Sequence, residues 1–426
     1  MADISYRNRI ADALLQDCLE TSGGVLVEGP KWCGKTTTCE RVAKSKVMLA
    51  NLSVLESSIQ VAQTDMPRLL AGNTPRLFDE WEMIPELWDA IRYEIDHRQQ
   101  TGLYLLTGSA VPVKSDKIHH TGTGRYSWLR MRPMSLWESG ESSGEISLGY
   151  LFDSDVKPTG SNPHQLSDIA FILCRGGWPN AIGKSERVSL KIAYNYVDAL
   201  VASDISRVDD TLRNPRRARL LLRSLARLQG SQAPISTILQ DMLANDESSL
   251  SEKTIASYIN ALEKVFVVED LPAWSTNLRS KTAIRTIDTR YFVDPSIAVA
   301  ALGITPGKLM RDLNTFGFLF ETMAIRDLRV YADAIDAKVY HYRDKTGLEC
   351  DAVIELRDGR YGLVEIKLGG SYLIEEAQQS LNKLASKIDT DKVGEPAFRM
   401  VLTAVGEYAY PMKDGTMVVP IGCLKD

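Results

Sequence analysis

Short apolar runs and amphipathic segments alternate along the first third of the chain. Apolar residues dominate the segments GVLVEG, TPRLFDEW and GLYLLTGSA, whereas the residues after Lys35 and the segment IPELWDAIRYEID have the spacing of helices. Strands separated by helices favour a mostly parallel sheet that is covered on both faces. The pattern therefore predicts an α/β fold with a parallel sheet in this region.

The pattern changes twice further along the chain. From about residue 165 it becomes helical, and the runs VFVVEDLPAW and TRYFVDP then indicate a hairpin before about residue 300. The last third alternates helix and strand, with a turn at RDGRYG. We therefore expect three domains, at residues 1–210, 211–300 and 301–426.

Composition limits the class of protein. Of 426 residues, 44% are apolar and 25% are charged, as in soluble globular proteins, and a net charge of −5 confines any nucleic-acid contact to a local basic patch. The six cysteines have no zinc spacing, and no stretch has the roughly 18 apolar residues of a membrane span. We expect a cytoplasmic protein without membrane contact.

Residues 27–43, VEGPKWCGKTTTCERVA, have the spacing of a phosphate-binding loop between a strand and a helix. Backbone N–H groups of such a loop surround phosphate oxygens, so ATP is the expected ligand. Lys35 is expected to reach the β- and γ-phosphates, and Thr36 to ligate Mg²⁺. The alternative is an accidental glycine turn. The predicted nucleotide-binding residues of the loop are Gly29, Pro30, Lys31, Trp32, Cys33, Gly34, Lys35, Thr36 and Thr37.

Polar residues end the next two strands. Asp79 is expected to hold Mg²⁺ and to complete the nucleotide site, while Glu80 orients a water molecule for attack on the γ-phosphate. A solvated acidic turn is the alternative. Thr107 and Ser109 stand where a γ-phosphate sensor would lie. Arg125 is a candidate arginine finger or, alternatively, an ordinary surface arginine.

The segment GLECDAVIELRDGRYGLVEIKLGG reads as two strands joined by a turn. Glu365 and Lys367 share one face of the second strand, and Asp351 lies within the first. With Glu321 on the preceding helix, these acids can ligate Mg²⁺ while Lys367 positions a water molecule, which would make Asp351, Glu365 and Lys367 catalytic. A half-exposed strand shows the same alternation without any catalysis.

The middle of the chain suggests a nucleic-acid contact. ISTILQDMLA, LSEKTIASYINALEKVF and the hairpin after them predict helix, turn, helix and wing. Upstream, NPRRARLLLRSLARL places Arg216, Arg219, Arg223 and Arg227 along one stripe, which suits phosphates or a solvated face paired with acids. Four further basic residues lie on or near the wing: Arg279, Lys281, Arg285 and Arg290.

Taken together, the segments resemble the AAA-type P-loop ATPases called archaeal-type, whose C-terminal domain is restriction-endonuclease-like. The matching segments include GPKWCGKTT, LFDEWEMIPELWDAIR, GRYSWLRMRPMSLWE, RGGWPNAI and LECDAVIE with LVEIK. The resemblance implies an ATPase domain with a helical lid at 1–210, a winged-helix segment at 211–300 and a PD-(D/E)XK nuclease-like domain at 301–426. It also implies that copies of the chain assemble. Glu82 departs from the glutamine usual in the family.

Two functions follow from these expectations. The first is an ATPase that hydrolyses ATP with Mg²⁺ and acts on DNA, with the nucleotide state altering how the C-terminal domain is presented. The second is a regulatory switch or scaffold, which ATP orders for a partner and in which the nuclease-like domain is inactive.

Overall fold

The computed structural model describes residues 6–108, 121–153, 159–207, 211–244, 250–275 and 287–426. The chain forms two compact units. Unit 1 consists of Met1–Pro133, Asp204–Leu212 and Lys264–Phe266. Unit 2 consists of Met134–Ser203, Arg213–Glu263 and Val267–Asp426.

The first part of unit 1 alternates helices and strands as the apolar pattern predicts. In chain order its elements are α1 (Ile10–Thr21), β1 (Gly24–Glu28), α2 (Lys35–Val42), β2 (Ser45–Met48), α3 (Leu52–Thr64), α4 (Met66–Leu70), β3 (Arg76–Asp79), α5 (Leu87–Arg98), β4 (Tyr104–Gly108) and β5 (Tyr126–Arg130).

Within the described residues, the five strands of unit 1 form one sheet in the order β2-β3-β4-β1-β5, and all neighbours are parallel. The strand β1 lies between β4 and β5. After β1 the chain crosses to β2 at the edge of the sheet, and the later strands return towards β1, with β4 on one side of it and β5 on the other. Ligands of open α/β sheets bind at the carboxyl ends of strands beside such a change of direction. This topology puts the loop after β1 where a ligand is expected.

Alternate side chains of each strand fill two cores. Val25 and Val27 of β1 pack with Leu15 of α1 and Cys39 of α2, whereas Leu26 belongs to a second core with Trp88 of α5. Because successive side chains of a strand point to opposite faces, β1, β3, β4 and β5 each contribute to both cores. The predicted α/β fold with a covered parallel sheet is confirmed.

The elements between residues 134 and 264 are mostly helical. They are α6 (Leu136–Ser139), β6 (Ile146–Ser147), α7 (Leu148–Asp153), α8 (Leu166–Arg175), α9 (Glu186–Ala199), α10 (Ile205–Arg207, in unit 1), α11 (Pro215–Arg227), α12 (Ile235–Leu243) and α13 (Glu252–Lys264).

A helix and a mixed sheet dominate the rest of unit 2. The elements are α14 (Pro295–Leu302), α15 (Pro306–Leu309), α16 (Leu313–Ala334), β7 (Ala337–Arg343), β8 (Glu349–Leu356), β9 (Tyr361–Lys367), α17 (Ser371–Lys387), α18 (Thr390–Val393), β10 (Phe398–Thr403), β11 (Tyr410–Pro411), β12 (Met417–Pro420) and β13 (Leu424–Lys425). In the described part of the chain, six of these strands form a sheet in the order β11-β12-β10-β9-β8-β7.

The compact units do not follow the three expected domains. Residues 134–203 were expected in the ATPase domain but fall in unit 2. One physical reason is that β6 pairs in parallel with β13 at the end of the chain, and the Ser142 hydroxyl donates to the Leu424 carbonyl at 2.6 Å. Such pairing between distant segments leaves no local pattern in the sequence.

The two helices expected in ISTILQDMLA and LSEKTIASYINALEKVF are present as α12 and α13. Residues 245–249, in the turn expected between them, lie outside the described residues. Isolated antiparallel bridges join Val268 to Phe292 and Leu271 to Thr289, where the hairpin was expected. Arg279, Lys281 and Arg285 lie outside the described residues, whereas Arg290 is described and pairs with Asp270 at 3.2 Å. That this segment is a winged helix stays a prediction.

A buried ionic network fixes α16 in unit 2. The Arg326 guanidinium donates to Asp294 at 2.8 Å and pairs with Asp327 at 2.7 Å, and all three side chains are buried. Asp294 also accepts from the Gly177 N–H, and Asp327 from the Leu136 N–H. Burial raises the pKa of Asp327 to about 6, although Arg326 opposes this. The network therefore joins α16 to Asp294, 32 residues earlier in the chain, and to Leu136, 191 residues earlier.

Replacing Arg326 with methionine should destabilise the protein strongly. The change leaves two buried carboxylates without their cation, which costs about 3–5 kcal/mol of the free energy of unfolding. Urea denaturation measures it. Arg357→Met is the matched control, because Arg357 is mostly exposed in its pair with Asp336. Equal destabilisation by the two changes would show that burial of the network is not what matters.

Candidate functional site

The loop between β1 and α2 has the backbone of an anion-binding turn. Gly29 has φ 152° and Gly34 has φ 108°, a region that other residues rarely adopt. A Cβ atom at position 29 would lie 2.1 Å from the Met131 carbonyl oxygen. Gly34 immediately precedes α2, so the N–H groups that begin this helix point into the loop. The chain thus needs glycine at both predicted positions.

The side chains between the two glycines differ in burial and in their contacts. Cys33 is fully buried, and its thiol donates to the Met131 carbonyl. Lys31 pairs with Asp204 at 2.7 Å, and Trp32 adopts φ 67° with a half-exposed ring. At these positions it is therefore the backbone, rather than the side chains, that is available to surround an anion.

Lys35 lies over the loop that it follows. Its ammonium group is buried and donates to the carbonyl oxygens of Gly29 at 2.8 Å and Pro30 at 2.9 Å. A buried ammonium requires acceptors, and phosphate oxygens at this place would be stronger acceptors than neutral carbonyls. The lysine is thus held at the mouth of the loop.

Asp79 connects the loop helix with two strands. One of its carboxylate oxygens, Oδ1, accepts hydrogen bonds from the Thr36 hydroxyl and from the Thr107 hydroxyl, each at 2.7 Å. Asp79 is 5% exposed and Thr107 is 1% exposed. The structure brings together the two predicted Mg²⁺ ligands, Thr36 and Asp79. Hydroxyl and carboxylate oxygens are ligands that Mg²⁺ prefers, so the residues present fit this ion.

Glu80 directly follows β3 in a strained conformation. Its φ of 56° and ψ of 48° lie in the left-handed region, which costs a residue other than glycine about 1–2 kcal/mol. Strain of this kind is concentrated at functional sites. The turn places Glu80 beside Asp79 at the carboxyl edge of the sheet, as the pattern DEW predicts. Ser109, the second sensor candidate, lies outside the described residues.

Arg125 lies at the amino ends of the strands, whereas the phosphate loop lies at their carboxyl ends. It precedes β5, whose first residue Tyr126 pairs with Gly24 at the start of β1, whereas the phosphate loop follows the end of β1. The five residues of β1 separate these two ends of the strands by about 16 Å. Arg125 is exposed and pairs with Asp96 at 2.8 Å. It therefore does not reach a nucleotide in its own loop.

Sequence patterns missed one buried residue of this site. Arg9 precedes α1, and its guanidinium donates to the carbonyl oxygens of Cys33 and Arg132, both at 2.8 Å. It is 7% exposed. Arg9 therefore holds the phosphate loop against the segment that follows β5. The segment YRNRI carries no motif that indicates this role.

The four C-terminal residues singled out by the sequence also lie together. Lys367 Nζ is 2.8 Å from Glu365 Oε2 and 3.3 Å from Asp351 Oδ2, so the ammonium bridges the two carboxylates. Asp351 also accepts from the Ile366 N–H at 2.7 Å. Glu321 accepts from the Tyr291 hydroxyl at 2.5 Å. Burial, followed by the charge of Asp351, raises the pKa of Glu321 to about 8 and that of Glu365 well above its usual value.

This arrangement is not a cage for a metal ion. Among the described residues, no group of three or more His, Cys, Asp and Glu side chains is placed to hold a metal. The Lys367 ammonium instead supplies the positive charge between Asp351 and Glu365. Asp351 and Glu365 are thus paired with an ammonium group, and a metal role for Glu321, Asp351 and Glu365 stays a prediction.

Comparison with known families assigns the first region. Residues 22–139 match the family model described as an AAA domain. The fold here is that of an AAA-type P-loop NTPase. Residues 166–308 and 316–424 match two models, each described as a domain of unknown function, DUF8612 and DUF4143. Neither description identifies a nuclease or a winged helix, so the AAA-type assignment covers the nucleotide site alone.

Two curated relatives match almost the whole chain. They are the uncharacterized proteins Mb2031c of Mycobacterium bovis and Rv2008c of Mycobacterium tuberculosis, each 22% identical over 419 residues, which is 97% of this chain and 83% of the relative. Among solved structures, the Aeropyrum pernix Orc1 protein in complex with DNA is 15% identical. The match covers 71% of this chain and 94% of that chain, with a TM-score of 0.25. A score this low supports neither a shared fold nor a shared ligand.

No described helix has both the length and the apolar character needed to cross a bilayer.

Replacing Arg9 with lysine should weaken ATP binding about tenfold. Lysine keeps the charge but lacks the planar fork that joins two carbonyls, and a hydrogen bond to a charged group contributes about 1.5–3 kcal/mol. ATP turnover at saturation should stay near the parental rate, since Arg9 contacts the loop rather than the reacting atoms. Titration with a fluorescent ATP analogue gives Kd. Arg98→Lys, at an exposed position, is the control; parental affinity in Arg9→Lys would contradict the role.

Proposed function

We propose that this chain hydrolyses ATP with Mg²⁺ at the loop after β1, and that ATP binding and hydrolysis are coupled to DNA binding. The observation that carries the hydrolysis proposal is the convergence on Asp79. One carboxylate oxygen accepts from hydroxyls on the loop helix and on a neighbouring strand. A site that binds an anion alone has no need of a buried acid beside the loop, whereas the Mg²⁺ that ATP hydrolysis requires needs such a ligand.

Each residue of the loop then has a defined task. Backbone N–H groups of the loop and of the first turn of α2 bind the phosphates, and Lys35 exchanges the carbonyls of Gly29 and Pro30 for β- and γ-phosphate oxygens. Thr36 and Asp79 would hold Mg²⁺, which would neutralise charge on the phosphates. Thr107, hydrogen-bonded to the same carboxylate, is the proposed sensor of the γ-phosphate.

Glu80 is the proposed base. Its strained backbone lies immediately after the proposed magnesium ligand Asp79, at the carboxyl ends of the strands where the phosphate loop also lies. There it can orient a water molecule in line with the γ-phosphate and accept its proton.

The alternative function is a switch or scaffold that ATP orders for a partner. The C-terminal acidic cluster favours one part of this alternative, the inactive nuclease-like domain, because Lys367 already balances Asp351 and Glu365. We therefore propose DNA binding rather than DNA cleavage as the activity coupled to ATP. The two functions differ in turnover, which the switch does not require.

Glu80→Gln should separate ATP binding from turnover. The amide cannot accept a proton, so turnover should fall about 100-fold or more, while the Kd for ATP stays near the parental value. Lys35→Ala should instead weaken ATP binding by about 10- to 100-fold, since it removes charge-assisted hydrogen bonds. Phosphate release and ATP titration provide the two readouts.

The controls are Glu56→Gln and Lys46→Ala, which change exposed residues outside the loop. Parental turnover in Glu80→Gln would remove the proposed base. Absence of turnover in the parental protein, with intact ATP binding, would favour the switch.

DNA cleavage should be absent in every nucleotide state. Supercoiled plasmid incubated with the full chain, Mg²⁺ or Mn²⁺, and either ATP or ADP should stay intact, because no described group of acids is placed to hold a metal. The Glu365→Gln variant is the matched control. Cleavage by the parental protein that this variant lacks would instead identify the cluster as a nuclease site.

A further inference from the structure

The helix α11 in unit 2 has two faces of opposite character. Its buried residues are Ala218, Leu221, Leu222, Ser224, Leu225 and Ala226. Its exposed face carries an arginine at every third or fourth position: Arg216, Arg219, Arg223 and Arg227. We call these four residues the arginine stripe. At 1.5 Å per residue the stripe is about 16 Å long.

Ion pairs within the protein account for only two residues of the stripe. Arg219 pairs with Asp198 at 2.8 Å, where both side chains are more than half exposed, and Arg227 pairs with Asp241. Ion pairs exposed to solvent contribute little to folding, so they can be exchanged for other partners. In the described part of the chain, Arg216 and Arg223 have no carboxylate within 4 Å. The guanidinium groups of Arg216 and Arg223 therefore remain for a ligand outside the protein.

We propose that the arginine stripe binds the phosphate backbone of a nucleic-acid duplex. This inference rests on the proposed coupling to DNA and names the surface responsible for it. Each strand of a duplex carries a phosphate at about every 3.4 Å of helix axis, so its backbone is a fixed row of negative charges along which part of a rigid stripe of about 16 Å can lie. An acidic peptide has no such fixed row of charges unless it is itself folded.

The residue type and the surroundings agree with this partner. All four positions carry arginine rather than lysine, and the planar guanidinium binds phosphate with two parallel hydrogen bonds. Because the whole chain has a net charge of −5, the stripe is a local feature and not part of a generally basic surface.

Polar residues continue the surface beside α11. The Asn214 N–H, next to the helix start, donates to the Tyr258 hydroxyl of α13 at 2.8 Å, and Arg213 donates to the Ser257 carbonyl and hydroxyl at 3.3 Å. The exposed Ser257 and Asn260 of α13 therefore lie on the neighbouring helix. The same helix also exposes Glu252 and Glu263, so the phosphate contacts belong to α11.

The test compares two pairs of substitutions in the full chain. Arg216→Gln/Arg223→Gln removes two charges from the stripe. Arg343→Gln/Lys383→Gln removes two exposed charges elsewhere in unit 2. Fluorescence anisotropy with labelled 24-base-pair DNA and RNA duplexes gives Kd between 50 and 300 mM NaCl. Glutamine preserves helix propensity, and circular dichroism checks the fold.

The stripe pair should weaken duplex binding at least tenfold at 100 mM NaCl. It should also reduce the slope of log K against log salt by about 2, because each phosphate contact contributes about 0.9. The control pair should change neither quantity. Binding of either duplex in this manner supports the proposal, and the comparison of DNA with RNA identifies the nucleic acid.

Three results would overturn the proposal. The first is an equal loss of duplex affinity in both pairs of substitutions, and the second is an unchanged slope of log K against log salt in the stripe pair. The third is binding of poly-glutamate that is as tight as duplex binding and depends equally on Arg216 and Arg223, which would identify an acidic protein partner. ATP turnover measured on the same samples keeps the two proposals apart. Normal turnover without stripe-dependent duplex binding rejects the stripe alone, whereas stripe-dependent binding without turnover rejects the ATPase alone.

Discussion

The Asp79 carboxylate accepts hydrogen bonds from Thr36 and Thr107 inside unit 1, and the nucleotide site depends on this convergence. A buried carboxylate is costly unless donors satisfy it, so its presence fixes the hydroxyls of the loop helix and of β4 around one oxygen. The strand order supplies the setting, because β3 and β4 are neighbours and β1 lies next to β4. Loop, helix and strand ends are thereby held in one geometry before any ligand binds.

Unit 2 uses charge differently at three places. Arg326 is fully paired with Asp294 and Asp327 in the interior, where it joins distant segments. Lys367 bridges Asp351 and Glu365 on the interior strands β8 and β9 of the mixed sheet, with part of its side chain exposed. The arginine stripe of α11 faces solvent. Burial separates these roles, since a buried charge requires a fixed partner whereas an exposed charge can exchange one partner for another.

The acidic cluster shows how far a local pattern can be interpreted. The spacing of Asp351, Glu365 and Lys367 correctly places the three residues side by side, because antiparallel strands joined by a short turn have a predictable register. Whether the Lys367 ammonium pairs with the two carboxylates depends on interatomic distances, which spacing along the sequence does not give. The same four residues suit a metal cage or an ion pair, and only the positions of Lys367 and Glu321 distinguish the two.

The sequence by itself determined the local features: the parallel α/β pattern, the glycines of the phosphate loop, and the acids at the end of β3. These follow from backbone conformations and periodicities that extend over only a few residues. Tertiary structure alone decided which distant groups meet. Arg9 against the loop, Arg125 at the far edge of the sheet, Tyr291 on Glu321 and β6 beside β13 are all contacts between segments far apart in the chain. No pattern of neighbouring residues encodes such contacts, because the free energy that selects them comes from the packing of the whole fold.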